Sequence, residues 1–210
     1  MRAFDTWTYE DVEDAFGIER VKVMSLFEDW MKPEIEFFPN ETEAAALTDL
    51  QNTLFDEVMN WNEDELKLFF IGPLLSLIKF KTDRFKPFTQ RTLSFTKDNI
   101  SASGKMDFLL ARGKVLPKVP YFCLHEYKQE NRRDNDPLGQ LLIGMVASQA
   151  KHQADIPIFG TYVSGRNWFF VLLSGKEYML SDAFVATSDD AKTIFALLKK
   201  CKALVGNYAK

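Results

Sequence analysis

The sequence predicts an α/β domain, and three observations predict it. Residues 106–111 (Met-Asp-Phe-Leu-Leu-Ala) and 121–128 (Tyr-Phe-Cys-Leu-His-Glu-Tyr-Lys) carry the aromatic and aliphatic side chains typical of strands. Between them, Arg112 to Pro120 holds Gly113, Pro117 and Pro120, the punctuation of a turn. On either side of this hairpin lie apolar residues at helical spacing. The expected order is helices, a three-stranded meander, a helix, further strands and a last helix.

Thr8-Tyr9-Glu10-Asp11 reads as a helix start, with Thr8 as cap, Val12, Ala15 and Phe16 following, and Gly17 as the stop. A second helix is expected from Glu19 to Met31, with Val23, Phe27 and Trp30 on one side and Pro33 beyond its end. These make residues 1–40 an N-terminal helical extension to a domain spanning 41–210. That domain opens on Asn40-Glu41-Thr42-Glu43, a capping box, with Leu47, Leu50, Leu54 and Val58 behind it. Asn62-Glu63-Asp64-Glu65 repeats the pattern ahead of Leu66, Phe69, Phe70 and Leu74, and Pro73 should kink this helix or open a new one.

From Lys79 to Phe88 the chain turns basic, with phenylalanines interleaved. Such a stretch can offer a basic aromatic face to nucleic acid, or its rings can simply be core. Thr89 to Lys97 alternates as a strand and completes the meander. After a loop from Gln129 to Pro137, Leu138 to Lys151 reads as a helix. Strand-like runs follow at 156–163, 168–173 and 178–185, parted by Ser164-Gly165-Arg166-Asn167 and Ser174-Gly175-Lys176. Asp189 or Asp190 then caps a helix reaching about Leu204.

Bulk properties narrow the function classes. The 210 residues suit one domain with an extension. A net charge of −4 argues against binding nucleic acid by overall field, while leaving a local basic groove open. Cys123 and Cys201 stand alone, without zinc-ligand spacing or a disulfide framework. The N-terminus has no apolar leader, and the longest apolar run, 68–78, is too short to span a bilayer. The expectation is a cytoplasmic protein with no membrane partner.

The chemistry concentrates in Met106-Asp107 and Glu126-Tyr127-Lys128. If the strands pair about a centre near Leu116/Pro117, Asp107 faces Glu126. Period-two geometry then sets Phe122, Leu124, Glu126 and Lys128 on one face, a strand running out of a core into a polar site. Glu65-Leu66-Lys67 and Asp190-Ala191-Lys192 repeat the acid-x-lysine string, but in segments that read as helix.

This constellation resembles the PD-(D/E)XK nuclease superfamily, the restriction-endonuclease-like fold, with Met106 where the family carries proline. The predicted order matches the family's αβββαβ core from about residue 42 to 204, and the 156–185 segment looks like the late strands of small bacterial members. The resemblance implies a metal-dependent nuclease hydrolysing phosphodiester bonds of DNA, or of RNA. Such hydrolysis needs a divalent ion to polarise the phosphate and acidify a water, and Mg²⁺ favours hard carboxylate oxygens. Asp107, Glu126 and the Tyr127 backbone carbonyl would hold Mg²⁺ or Mn²⁺, and Lys128 would reach the water or the scissile phosphate. The family's helix acid would be Glu65, with Glu57 as rival. Gln140 would touch the lysine or a phosphate, although Gly144 stands where the RecB-like Q-x-x-x-Y pattern has tyrosine.

Arg132 and Arg133 in the loop after the motif, with Lys105 and Arg91 on the hairpin, are the candidate phosphate contacts. Three alternatives remain open at this point. Asp107 and Lys128 could form a structural salt bridge at a sheet end. The fold could serve as a catalytically inactive module for nucleic-acid binding or protein interaction. It could also await a partner in a larger defence or mobile-element system, and a dimer is open. His125 and His152 read as packed histidines without metal-ligand spacing.

Overall fold

A computed structural model describes residues 1–97, 99–128, 136–152 and 155–209, with the backbone alone for 123–128. In chain order the elements are β1 (Arg2–Ala3), α1 (Tyr9–Phe16), β2 (Glu19–Arg20), α2 (Ser25–Trp30), α3 (Glu41–Glu57), α4 (Glu63–Leu66) and α5 (Gly72–Ile78). There follow β3 (Lys86–Lys97), β4 (Ile100–Arg112), β5 (Val119–Lys128), α6 (Pro137–Gln149), β6 (Ile158–Ser164), β7 (Asn167–Ser174), β8 (Glu177–Leu180), β9 (Phe184–Val185) and α7 (Asp190–Tyr208). A π-helical turn, Lys67–Ile71, joins α4 to α5.

Among the described residues, nine strands form one mixed sheet along the path β1-β4-β5-β6-β7-β8-β2, with β3 paired to β4 and β9 to β7. The meander β3-β4-β5 is antiparallel, and β6 joins β5 in parallel. A parallel neighbour requires a crossover, which α6 supplies. Helices cover both faces. Leu93, Met106, Leu109, Leu142 and Met145 fill the core on the α6 side. Trp30, Leu54, Phe70, Phe122 and Phe195 fill the core beneath α2, α3, α5 and α7. The α/β class expected from the sequence is observed.

The first forty residues contribute two short strands to this sheet. Arg2 and Ala3 pair with Ala102 and Ser103, while Glu19 and Arg20 pair with Glu177 and Tyr178. The helix expected from Glu19 to Met31 is therefore corrected to β2, a connection, and the short α2. Glu19 N–H donates to the Lys176 carbonyl at 2.8 Å and Val21 N–H to Tyr178 at 2.9 Å. Backbone groups on the sheet edge thus capture a segment whose local pattern reads as helix. Similarly, the strand expected over 178–185 divides into β8 and β9, which pair with different stretches of β7.

Lys200 anchors this region from α7. It is 4% exposed, and its ammonium donates to the Asp29 and Lys32 carbonyls at 2.6 and 2.9 Å, beside the Asp29 and Glu34 carboxylates. Buried lysine is tolerated here because its donors are paired. On the other face, Asp136 caps α6 by accepting from Leu138 and Gly139 N–H, and its second oxygen accepts from Tyr9 N–H. A Cβ on Gly139 would lie 2.4 Å from the Trp7 carbonyl oxygen, so only glycine allows this close approach of α6 to the start of α1.

Candidate functional site

Gln90, in β3, has φ of 53°, and the otherwise regular β3–β4 ladder skips the Gln90/Asp107 pair. The sequence pattern on both strands changes phase there. Phe88 and Leu93 are five residues apart yet pack in the same core, and so do Met106 and Leu109, three apart. Strict alternation would send such residues to opposite faces. The left-handed Gln90 absorbs that slip, and Asp107 sits at the break. Its carboxylate joins a cleft of about 530 Å³ on the α5 side, bounded by Lys67, Ile71, Leu75, Phe80, Gln90 and Asp107.

A second backbone irregularity faces it. Gly72 N–H bonds to the Lys67 carbonyl, five residues back, in the π-helical turn. Pro73, placed in the first turn of α5, has no N–H to continue an ordinary i→i−4 ladder, so the helix widens just before it. Lys67 lies at the start of this turn. Its Nζ stands 3.0 Å from Asp107 Oδ1 and 2.6 Å from Glu63 Oε1, while Gln90 Nε2 donates to Asp107 Oδ1 at 2.6 Å. Side-chain exposure is 11% for Asp107 and 21% for Lys67, so these charges are screened less than surface pairs. Burial pushes the Lys67 ammonium down, but Asp107 and Glu63 outweigh it and hold its pKa above the ordinary lysine value.

Lys67, Glu63 and Gln90 are thus site residues that sequence reasoning missed. Glu63 and Lys67 carry an i,i+4 signal, but on an isolated helix that pattern means only a solvated pair. Glu65, the expected helix acid, is engaged elsewhere: its carboxylate accepts from Asn62 N–H at 2.7 Å and closes the capping box. Glu57 lies in the last turn of α3, where its carboxylate accepts from Asn60.

The expected register is also corrected. The β4–β5 ladder runs through Leu110↔Phe122 to Phe108↔Leu124, which if extended sets Asp107 against His125 rather than Glu126. The ladder leaves the turn as Arg112↔Val119 and Ala111↔Pro120, centred on Val115/Leu116 rather than Leu116/Pro117, and a shift at Leu110/Ala111, where Pro120 lacks a donor for the ladder, recovers one residue. Between Leu124 and Tyr127, β5 carries one residue more than β6, a shift in the backbone register. The β5 backbone continues through Lys128 alongside Ser164. The side chains of Glu126, Tyr127 and Lys128, and all of Arg132 and Arg133, lie outside the described residues.

Gln140 is 2% exposed in the first turn of α6. At Gly144 a Cβ would meet the Met106 sulfur at 2.6 Å, which explains why no tyrosine stands there. Arg91 and Lys105 are exposed on the β3–β4 hairpin, opposite Met106 and Thr92. Phe80, Phe85 and Phe88 are buried, so the aromatic half of the 79–88 segment is core. His152 packs edge-on against Tyr121, with Nε2 at the Pro120 carbonyl.

The fold and site define an α/β protein with a three-layer arrangement and an acid–lysine–amide cluster in a largely apolar cleft. No described helix is long and apolar enough to cross a membrane. No family model matches the chain, and no curated protein shows significant similarity to it.

Proposed function

We propose that this protein is a metal-dependent nuclease of the PD-(D/E)XK type, acting on DNA or RNA phosphodiesters. The observation that carries the reading is the convergence of two backbone irregularities, the π-helical turn at Lys67 and left-handed Gln90, on the single carboxylate of Asp107. Irregularities of both kinds are enriched at functional sites. The order α5, β3, β4, β5, α6, β6, with β6 parallel to β5, supports the αβββαβ comparison.

Carboxylate oxygens are the hard donors that Mg²⁺ and Mn²⁺ prefer. Asp107 and Glu63 both direct carboxylate oxygens at one positive centre, the Lys67 ammonium. Mg²⁺ or Mn²⁺ would be held by Asp107 with Glu126 and the Tyr127 carbonyl, as the resemblance implies. When bound, such an ion lowers the pKa of a water and polarises the phosphate. Gln90 orients Asp107 through its amide. Lys67 balances the carboxylate charge, and Lys128 is the residue assigned to the water or phosphate. The apolar cleft walls at Ile71, Leu75 and Phe80 limit water around the reacting group.

A second reading draws on the same contact. The Lys67 ammonium already neutralises Asp107, as it would in a catalytically silent nuclease-fold module. Cleavage of labelled single- and double-stranded DNA and RNA in Mg²⁺ and Mn²⁺ separates the two. Metal-dependent cleavage by wild type, lost in Asp107→Asn and Lys128→Ala, supports the enzyme. Cleavage of none of these substrates by wild type would leave the module.

A further inference from the structure

Away from Asp107, the turn end of the β4–β5 hairpin carries a cluster of basic residues. Lys81, Arg84, Lys86, Arg112, Lys114 and Lys118 border two adjoining hollows there, and Asp83 is the sole acid among the residues that line them. Six cations against one acid form a local positive patch on a chain whose net charge is −4. Two of these cations, Lys86 and Arg84, donate to neutral carbonyl acceptors. Lys86 Nζ donates to the Lys114 carbonyl, Lys118 N–H to the Arg112 carbonyl at 2.9 Å, and Arg84 to the Gly206 carbonyl at 3.2 Å. The carbonyl acceptors of Lys86 and Arg84 order those two side chains without cancelling their charge, and the Lys118–Arg112 backbone bond closes the turn.

The patch is continuous with the cleft. Lys81 borders both the Asp107 cleft and the first basic hollow. Asp107 and Arg112 are five residues apart on β4, about 17 Å at strand rise. The same span covers about five base steps of a nucleic-acid duplex.

We propose that this hairpin end is a phosphate-binding track for the nucleic-acid strand whose scissile bond lies at Asp107. The inference rests on nucleic acid being the substrate of that cleft, and it adds where the substrate's flanking phosphates lie. Val115 and Leu116 form an exposed apolar tip, 77% and 66% exposed, between Lys114 and Lys118. A basic loop with an apolar tip also suits an anionic bilayer. Continuity with the Asp107 cleft favours the polynucleotide, because a membrane would engage the tip alone.

The test measures binding without turnover, in EDTA and again in Ca²⁺, so it does not depend on cleavage. Fluorescence anisotropy with DNA and RNA oligonucleotides, single- and double-stranded, compares wild type with Lys114→Gln/Lys118→Gln. The variant's melting temperature checks its fold. Loss of two phosphate contacts should weaken binding about tenfold at low salt and make the log–log salt slope shallower by about two. Unchanged affinity and slope, with cleavage intact, would overturn the track while leaving the nuclease reading in place. Binding with the expected slope change but no cleavage of any substrate would support the track and remove the chemistry. If the protein instead sediments with phosphatidylserine vesicles and ignores oligonucleotides, and the variant loses that sedimentation, the surface is a membrane contact and the proposal falls.

Discussion

Lys67, from a π-helical turn, and Asp107, from the phase break in β4, meet at 3.0 Å inside a cleft. The break at Gln90 also keeps Phe88 and Leu93 in one core, and the π-helical turn precedes Pro73. Their shared product is one carboxylate held between an ammonium and the Gln90 amide. That relationship governs how the site should respond to metal and to substitution.

Asp107→Asn should destabilise the metal-free protein by on the order of 1 kcal/mol, because Lys67 keeps only Glu63 of these two acid partners in a partly buried setting. Mn²⁺ should raise the melting temperature of wild type by binding the folded state. Lys67→Met removes the competing ammonium and should enlarge that rise, whereas Asp107→Asn should nearly abolish it. Thermal melts of the three proteins with and without Mn²⁺ check the ordering. Equal responses would remove Asp107 from the metal site.

At Gln90 the backbone has φ of 53°, a conformation that costs a residue with a Cβ about 1–2 kcal/mol. Gln90→Gly should therefore be more stable than Gln90→Ala by about 1 kcal/mol, the reverse of the usual preference within a strand. Both lose the amide on Asp107 and should lose the proposed nuclease activity together. Urea unfolding of the pair measures the strain. Equal stability would mean that the left-handed backbone is not retained.

Two glycines on helices should respond with opposite signs. Gly139→Ala drives a Cβ to 2.4 Å from the Trp7 carbonyl and 2.5 Å from the Thr8 carbonyl carbon, and should cost about 1–3 kcal/mol as α1 separates from α6. Around Gly206, in α7, nothing lies within 4 Å of an added Cβ. Gly206→Ala should stabilise by about 0.5–1 kcal/mol through helix propensity. Denaturant midpoints of the two variants decide the matter.

Burial lowers the His152 pKa, although the Pro120 carbonyl partly counters it. A histidine depressed in the folded state is protonated first in the unfolded chain. Its contribution to stability is present above the unfolded pKa of about 6.5 and is lost as pH falls through the folded value. Stability should decline below about pH 6.5, and His152→Gln should flatten this part of the curve. Melting temperatures from pH 7.5 down to about 5 provide the measurement.

Local chemistry made most elements legible. Capping boxes at Thr8, Asn40 and Asn62 mark helix starts because their hydrogen bonds close within four residues. The meander, α6 and the final helix follow from apolar period and turn residues in the same way. The site is different, since its parts come from separate elements. Glu65-Leu66-Lys67 looks like a solvated copy of the acid-x-lysine string, yet its lysine reaches Asp107 after the Gly72-Pro73 pair widens the helix. Glu65, the more obvious acid, turns back to its cap.

The sequence by itself determined where strands and helices could form, because propensity, capping and turn chemistry act between near neighbours. Only the tertiary structure decided that Glu19–Arg20 becomes a strand, since its partner lies at Glu177–Tyr178. The same holds for the register of Asp107. It depends on the irregular pairing at Ala111/Pro120 and on the slip absorbed at Gln90, and a one-residue displacement changes the face a side chain occupies. Hydrogen bonds between residues distant in the chain settle such registers, and no short window of sequence contains both partners.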